Sequence, residues 1–262
     1  MKSGIKLLII IWACIHPLNS AAQSEDPHEA QPERPTVATH AGTVATGWLE
    51  IEAGSEFDHY SDNSRGVGLP RTVKLGLSSD IQFSVFASAV RPPGANALQI
   101  GDLAFGLKWR LADDLPVLGK FAILPSIKLP TGTTAASAGT GTVDGNLLLI
   151  SSHELGPVAL DINLGYTRRS GDGTNAPRTS SLWTISFGGP AAGALGWVAE
   201  IYGFPGTSGN AGEPPVVAAL FGPTYTLEPW IVFDLGIIEP FAGPQPHAVY
   251  CGCVWNIGRV WG

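Results

Sequence analysis

Few places in this sequence gather residues that could do chemistry. Ser151, Ser152, His153 and Glu154 set nucleophile, base and acid side by side. In an extended chain, neighbours point to opposite faces, so Ser152 and His153 cannot meet, whereas Ser151 and His153 share a face. An outer-membrane lipid-modifying enzyme would have to be argued from that pair. Its segment ends at a turn expected on the periplasmic side, away from surface lipid. Cys251 and Cys253 stand two apart in a strand-like run. Strand geometry holds such a pair roughly 6.5–7 Å apart at Cα, a strained span for a disulfide, so they read as small apolar side chains. No further ligands accompany them, and no metal site is expected. The glycines of residues 130–144 are followed by neither a Lys nor a helix, which removes a phosphate loop. The expectation is a protein that is not an enzyme and carries no cofactor.

What remains is a set of charges with a regular address. Along residues 102–111, Leu103, Phe105, Leu107, Trp109 and Leu111 alternate with Asp102, Ala104, Gly106, Lys108 and Arg110. Period two puts one set on each face of a strand. The return segment repeats it, with Phe121, Ile123, Ile127 and Leu129 opposite Ala122, Ser126 and Lys128. Glu50, Glu52, Glu56, Lys74, Asp161, Glu200 and Asp234 also fall opposite apolar sets in their own runs. A charge on a lipid-facing position near mid-bilayer costs about 2–4 kcal/mol, so a membrane barrel must sort its charges inward. These residues, with Asp102, Lys108, Arg110 and Lys128, are the candidates to line a lumen.

The elements that would position them number about twelve, from Thr43 to the C-terminus. Connections alternate: long at 59–70, 91–97, 130–143, 168–179, 205–215 and 238–247, short between. Short turns at one end and long loops at the other are the plan of a bacterial outer-membrane barrel. Residues 146–153 are apolar on both faces and give no register. Trp48, Trp109, Trp183, Trp197, Trp230, Trp255 and Trp261 mostly sit near expected strand ends, as aromatic girdles require. No 3.6-residue apolar period appears after the N-terminus. The predicted fold is therefore all-β, a membrane-spanning antiparallel β-barrel.

The termini and composition agree. Lys2 and Lys6 flank the start of a short apolar run that ends near Ser20-Ala21-Ala22, the pattern of a signal peptide over residues 1–22. Residues 23–42 (QSEDPHEAQPERPTVATHAG) are Pro-rich and acidic without periodicity and read as a flexible leader, and 43–262 as the barrel. The formal charge of −7 over 262 residues gives no support to nucleic-acid binding.

GDLAFGLKWRL, ILPSIKLPTGT, GTGTVD and a later LDINLGY together resemble an outer-membrane family labelled by the MetA pathway of phenol degradation. The resemblance runs over most of the chain after about Gly47 and is densest at 101–144. It implies a twelve-stranded barrel in the bacterial outer membrane, in contact with membrane lipid, passing small hydrophobic or aromatic molecules. The family brings no catalytic motif. Barrels of this kind end on an aromatic residue read by the barrel insertion machinery; here Gly262 follows Trp261. The alternative is a structural barrel without a pore.

Overall fold

The computed structural model describes residues 26–134 and 138–262. The signal-peptide expectation at 1–22 lies outside them. The strands are β1 (Trp48–His59), β2 (Arg65–Gly76), β3 (Ile81–Arg91), a two-residue β4 (Gln99–Ile100), β5 (Leu103–Leu115), β6 (Gly119–Leu129) and β7 (Asp144–Leu155). Then follow β8 (Val158–Arg169), β9 (Thr179–Ala192), β10 (Leu195–Phe204), β11 (Val216–Glu228), β12 (Ile231–Ala242) and β13 (His247–Arg259). Each long strand pairs antiparallel with the next, β3 reaches β5 past β4, and β1 pairs β13 to close the ring. This is a closed barrel of twelve long strands, with no edge left to pair.

Five of its strands carry a proline, and at the three nearest mid-strand one ladder is interrupted. Pro70 of β2 pairs Ser88 on one side, while on the other the β1 register jumps from Ala53↔Arg71 to Glu56↔Gly68. Pro125 and Pro223 face similar gaps, in the β5–β6 and β11–β12 registers. A residue without an N–H is tolerated where no partner asks for one.

Leu107, Trp109, Leu149, Leu164, Ile185, Leu235, Val249 and Trp255 are among the large apolar side chains exposed on the outer wall. Lys74, Lys108, Glu50 and Gln82, on the opposite face, are completely buried. An apolar exterior around a charged interior, with backbone groups paired around the ring, is the arrangement a bilayer demands of a spanning sheet. In β7, where the sequence left the register open, Leu147 and Leu149 face out while Leu148 and Ile150 face in. The inward pair joins Ala122, Leu124 and Ala41 in an apolar cluster, against which Phe86 and Leu182 pack. Tyr202, Ala218, Leu220, Ile238, Ala248 and Tyr250 form a second cluster on the inner wall.

Connections at the chain-termini end are short throughout, with 156–157, 193–194 and 229–230 between consecutive strands. At the other end, 130–143, 170–178 and 205–215 are long. Two expected long loops are corrected. Half of 59–70 is strand β2, leaving 60–64 as the turn, and most of 238–247 is strand, leaving 243–246. Gly66, Gly68, Pro70 and Pro240 carry turn chemistry in the sequence, yet here they sit in strands whose pairing is supplied by neighbours.

Candidate functional site: a filled lumen

Residues 26–46 fill the interior. They do not form a flexible leader; they are tied to the wall along their length, which corrects the expectation from composition. Prolines at 27, 32 and 35 keep this segment from adding to the sheet as a strand. Its backbone groups are satisfied instead by side chains projecting inward from the strands, as buried backbone must be.

The segment is a loop with both ends at the short-turn side. At one end, the His28 ring is stacked on Trp230 (4.7 Å between centroids) and lies 4.8 Å from Trp48, and Ala30 N donates to the Pro229 carbonyl at 2.9 Å. At the other end, Thr43 Oγ1 donates to the Ser79 carbonyl at 2.8 Å and Val44 N to Gln82 Oε1 at 2.9 Å. Gly47 then turns the chain into β1 with φ +79°; a Cβ there would collide with the Trp261 carbonyl oxygen.

Between those ends the loop climbs to mid-barrel. Arg34 lies against the inner wall where Gly54 and Gly252 face each other in register. A Cβ at either glycine would collide with the guanidinium group, so the pair forms a slot for this side chain. From the slot, Arg34 Nε and Nη2 meet the Asp234 carboxylate at 2.9 and 3.1 Å. Glu200 accepts the N–H groups of Val37 and Ala38 at 2.8 and 2.7 Å. Asn163 grips Thr39 twice: its Oδ1 accepts from Thr39 N at 2.7 Å and its Nδ2 donates to Thr39 O at 2.9 Å. Ser152 Oγ accepts from Ala41 N at 2.8 Å, and the same hydroxyl donates to Asp161.

The charges meet beside this loop. Lys74 Nζ lies 2.6 Å from Glu50, 2.7 Å from Glu52 and 2.5 Å from the Gln31 carbonyl. Lys108 is paired with Glu33 and donates to the His40 and Gly42 carbonyls at 2.8 and 3.0 Å. Burial opposes the charge on Glu33, but Lys108 and Lys74 outweigh it and hold the carboxyl well below the usual carboxylate range. Burial, reinforced by Lys108, pushes the His40 imidazole down to about 3.

Other candidates lie away from that knot. Arg110 stays at the short-turn end with Asp80 (2.7 Å) and Asp113 (3.1 Å). Asp102 and Lys128 pair near the long-loop end, where Asp144 lies 3.2 Å from Lys128 and Asp102 accepts the Gly132 and Thr140 N–H groups. Glu56 borders a cavity of about 690 Å³ whose floor is the apex of the loop, residues 33–39. Phe86, Leu124, Leu148, Ile238 and Tyr250 give that cavity apolar walls; Lys128, Asp144 and Arg169 give it charge. It opens toward a wider space of about 1320 Å³ among the long loops. Ser151 Oγ and His153 Nε2 are 2.9 Å apart, but Ser151 donates to the Leu118 carbonyl, and the pair sits at the short-turn end of β7.

Sequence reasoning missed the loop itself and three of its holders, Gln82, Asn163 and Ser152. Its usable signal was small: from 36 to 47 the residues are mostly Thr, Ala, Gly and Val, slim enough for a narrow interior.

No family model and no curated protein matches the sequence. Solved structures do match in shape. A crystal structure of an outer membrane channel from Pseudomonas putida F1 aligns with a TM-score of 0.62 at 11% identity, over 82% of this chain and 97% of that one. The KdgM porin and the NanC porin each align with a TM-score of 0.52, at 9% and 10% identity, over 79% of this chain and 98% of theirs. The likeness is one of fold: this chain is a barrel of the outer-membrane type.

Proposed function

We propose that this protein is a bacterial outer-membrane channel closed at rest by its own N-terminal loop, and that it passes small hydrophobic or aromatic molecules. The observation that carries the reading is the loop of residues 26–46, whose backbone is held by wall side chains rather than by itself. A barrel needing only a solid core could fill it with wall residues. Here the filling is a separate segment entering from one side, with a cavity of about 690 Å³ on the other. That cavity combines Phe86, Tyr250 and aliphatic walls with a few charges, the lining expected for a small amphipathic or aromatic guest. In the channel, Glu50, Glu52, Lys74 and Lys108 hold the closed state, while Glu56, Asp102 and Lys128 meet a molecule arriving from the long-loop side. Outer-membrane residence follows from the apolar exterior and is supported by the shape shared with known channels. Residues 1–22 supply the export signal.

Planar-bilayer recordings of the full chain, with a panel of aromatic acids and hydrocarbons, test it. Discrete openings modulated by one aromatic class fit the proposal. A folded, inserted barrel that stays silent even when the loop's holders are mutated would leave the poreless structural reading in its place.

A further inference from the structure

One concentration of charge stands at the barrel's outer rim, with Arg169 its member turned toward the lumen. At the long-loop end of β8, Arg168 follows Tyr166 and Leu164 on the outward face, where those side chains are 54% and 56% exposed. Successive outward residues are separated by roughly 6.6 Å, so Arg168 stands one step above the aromatic residue and at the level where headgroups begin. It is exposed, and among the described residues no carboxylate pairs with it. Across the ladder it faces Gly145 on one side and Thr179 on the other. Open space lies where a Cβ of Gly145 would be. Arg178, next to that Thr179, is also exposed, and its Nε is turned onto the Asp172 carbonyl at 3.0 Å. Arg169 points inward, 3.3 Å from Asp144, and donates to the Pro177 carbonyl at 2.8 Å. The cleft among Arg168, Arg169 and Arg178 measures about 590 Å³ and is floored by Ser170 and Gly171. The acid within it is Asp172, whose Oδ1 is engaged by the N–H and hydroxyl of Thr174 at 3.0 and 2.6 Å.

We propose that this cleft binds the phosphate-bearing headgroup of a lipid in the outward-facing leaflet. Arg168, and the Nη groups that Arg178 keeps beyond its Nε contact with the Asp172 carbonyl, can take phosphate oxygens, with the planar donor geometry that suits them. Arg169, already paired, holds the cleft's inner wall. A soluble phosphate would find the same donors. A lipid also gains the apolar surface of Leu164 and Tyr166 directly below, and that continuity favours a membrane-anchored ligand. The inference uses the barrel's orientation in the bilayer and stands whether or not the lumen conducts.

Native mass spectrometry of the detergent-solubilised full chain tests it, with phosphatidic acid and the diacylglycerol of the same chains as probes. The expected result is retained phosphatidic acid, no retained diacylglycerol, and a loss of about tenfold in lipid affinity in the Arg168→Ala/Arg178→Ala double variant, equivalent to roughly 1.4 kcal/mol. Arg168→Ala alone gives a partial loss, so the reading survives a double variant that folds poorly. Equal retention by parent and double variant would overturn the proposal. So would arginine-dependent binding of inorganic phosphate with no retention of phosphatidic acid, which would mark a site for the free ion.

Discussion

At the level of single residues, closure of the lumen rests on a few side chains that hold backbone rather than one another. Asn163 is the sharpest case. Its amide reproduces, for Thr39, the pair of hydrogen bonds a neighbouring strand would offer. Asn163→Ala removes both and leaves two buried backbone groups unmatched, at a cost to loop docking of about 1–3 kcal/mol. Asp234 is the second. Its partner Arg34 is seated in the slot at Gly54 and Gly252 and has little other room. Asp234→Asn abolishes the ion pair, a change that costs roughly 3 kcal/mol when the surviving charge stays buried. The outcome is read at the loop's apex, which floors the outer cavity: a thiol probe at Thr36→Cys should label slowly in the parent and faster when Asp234→Asn is added. Equal labelling rates would show that the pair does not hold the loop.

At the level of elements, the strands and the loop differ in how far their sequences announce them. The barrel strands advertise themselves, because period two with every charge on one side rarely arises except where a sheet separates two unlike environments. Leu103–Leu115 and Val158–Arg169 lie where their alternation placed them, within a few residues. Gly66, Gly68 and Pro70 misled because a turn residue in isolation says nothing about the partner strand, and β1 leaves unpaired the site that Pro70 cannot serve. The 26–46 loop was illegible for a stronger reason. Its order comes from Glu200, Asn163 and Lys108, residues between 66 and 163 positions away in sequence, through contacts that composition does not encode.

The loop's titratable groups give it a pH dependence with a definite sign. His40 has its pKa lowered on docking from 6.5 to about 3, so the undocked loop binds the proton more readily. Docking therefore weakens as pH falls through 6.5 toward 3. Glu33 is held below its ordinary 4.5, so its contribution is present above that value and is lost as acidification protonates it. Both groups push the same way: acid loosens the loop. Thiol-labelling of Thr36→Cys at the apex, measured relative to a free-thiol standard at each pH, should accelerate from pH 7 to pH 4, and His40→Gln should flatten the upper part of that profile. A relative rate independent of pH would contradict this coupling.

At the scale of the whole molecule, the barrel is an inverted protein, apolar outside and charged within, and the two surfaces should respond oppositely to the same change. Leu164→Arg places a cation on the lipid face and should cost about 2–4 kcal/mol if it lies near mid-bilayer, measured by urea titration of the barrel in liposomes. Thr167→Arg, on the inward face beside the outer cavity, should leave that titration nearly unchanged. Similar losses for both would mean that the assigned faces are wrong.

The central claim is that the interior is closed by a detachable segment and not by the wall. The most direct measurement is single-channel conductance of the full chain beside a variant in which Asp234→Asn and Asn163→Ala are combined, with folding checked by heat-modifiable mobility on gels. A closed parent with rare openings, and a variant that opens often to a larger and uniform step, is the result expected. Identical traces from two equally folded, equally inserted barrels would contradict it, and would make residues 26–46 a fixed part of the core.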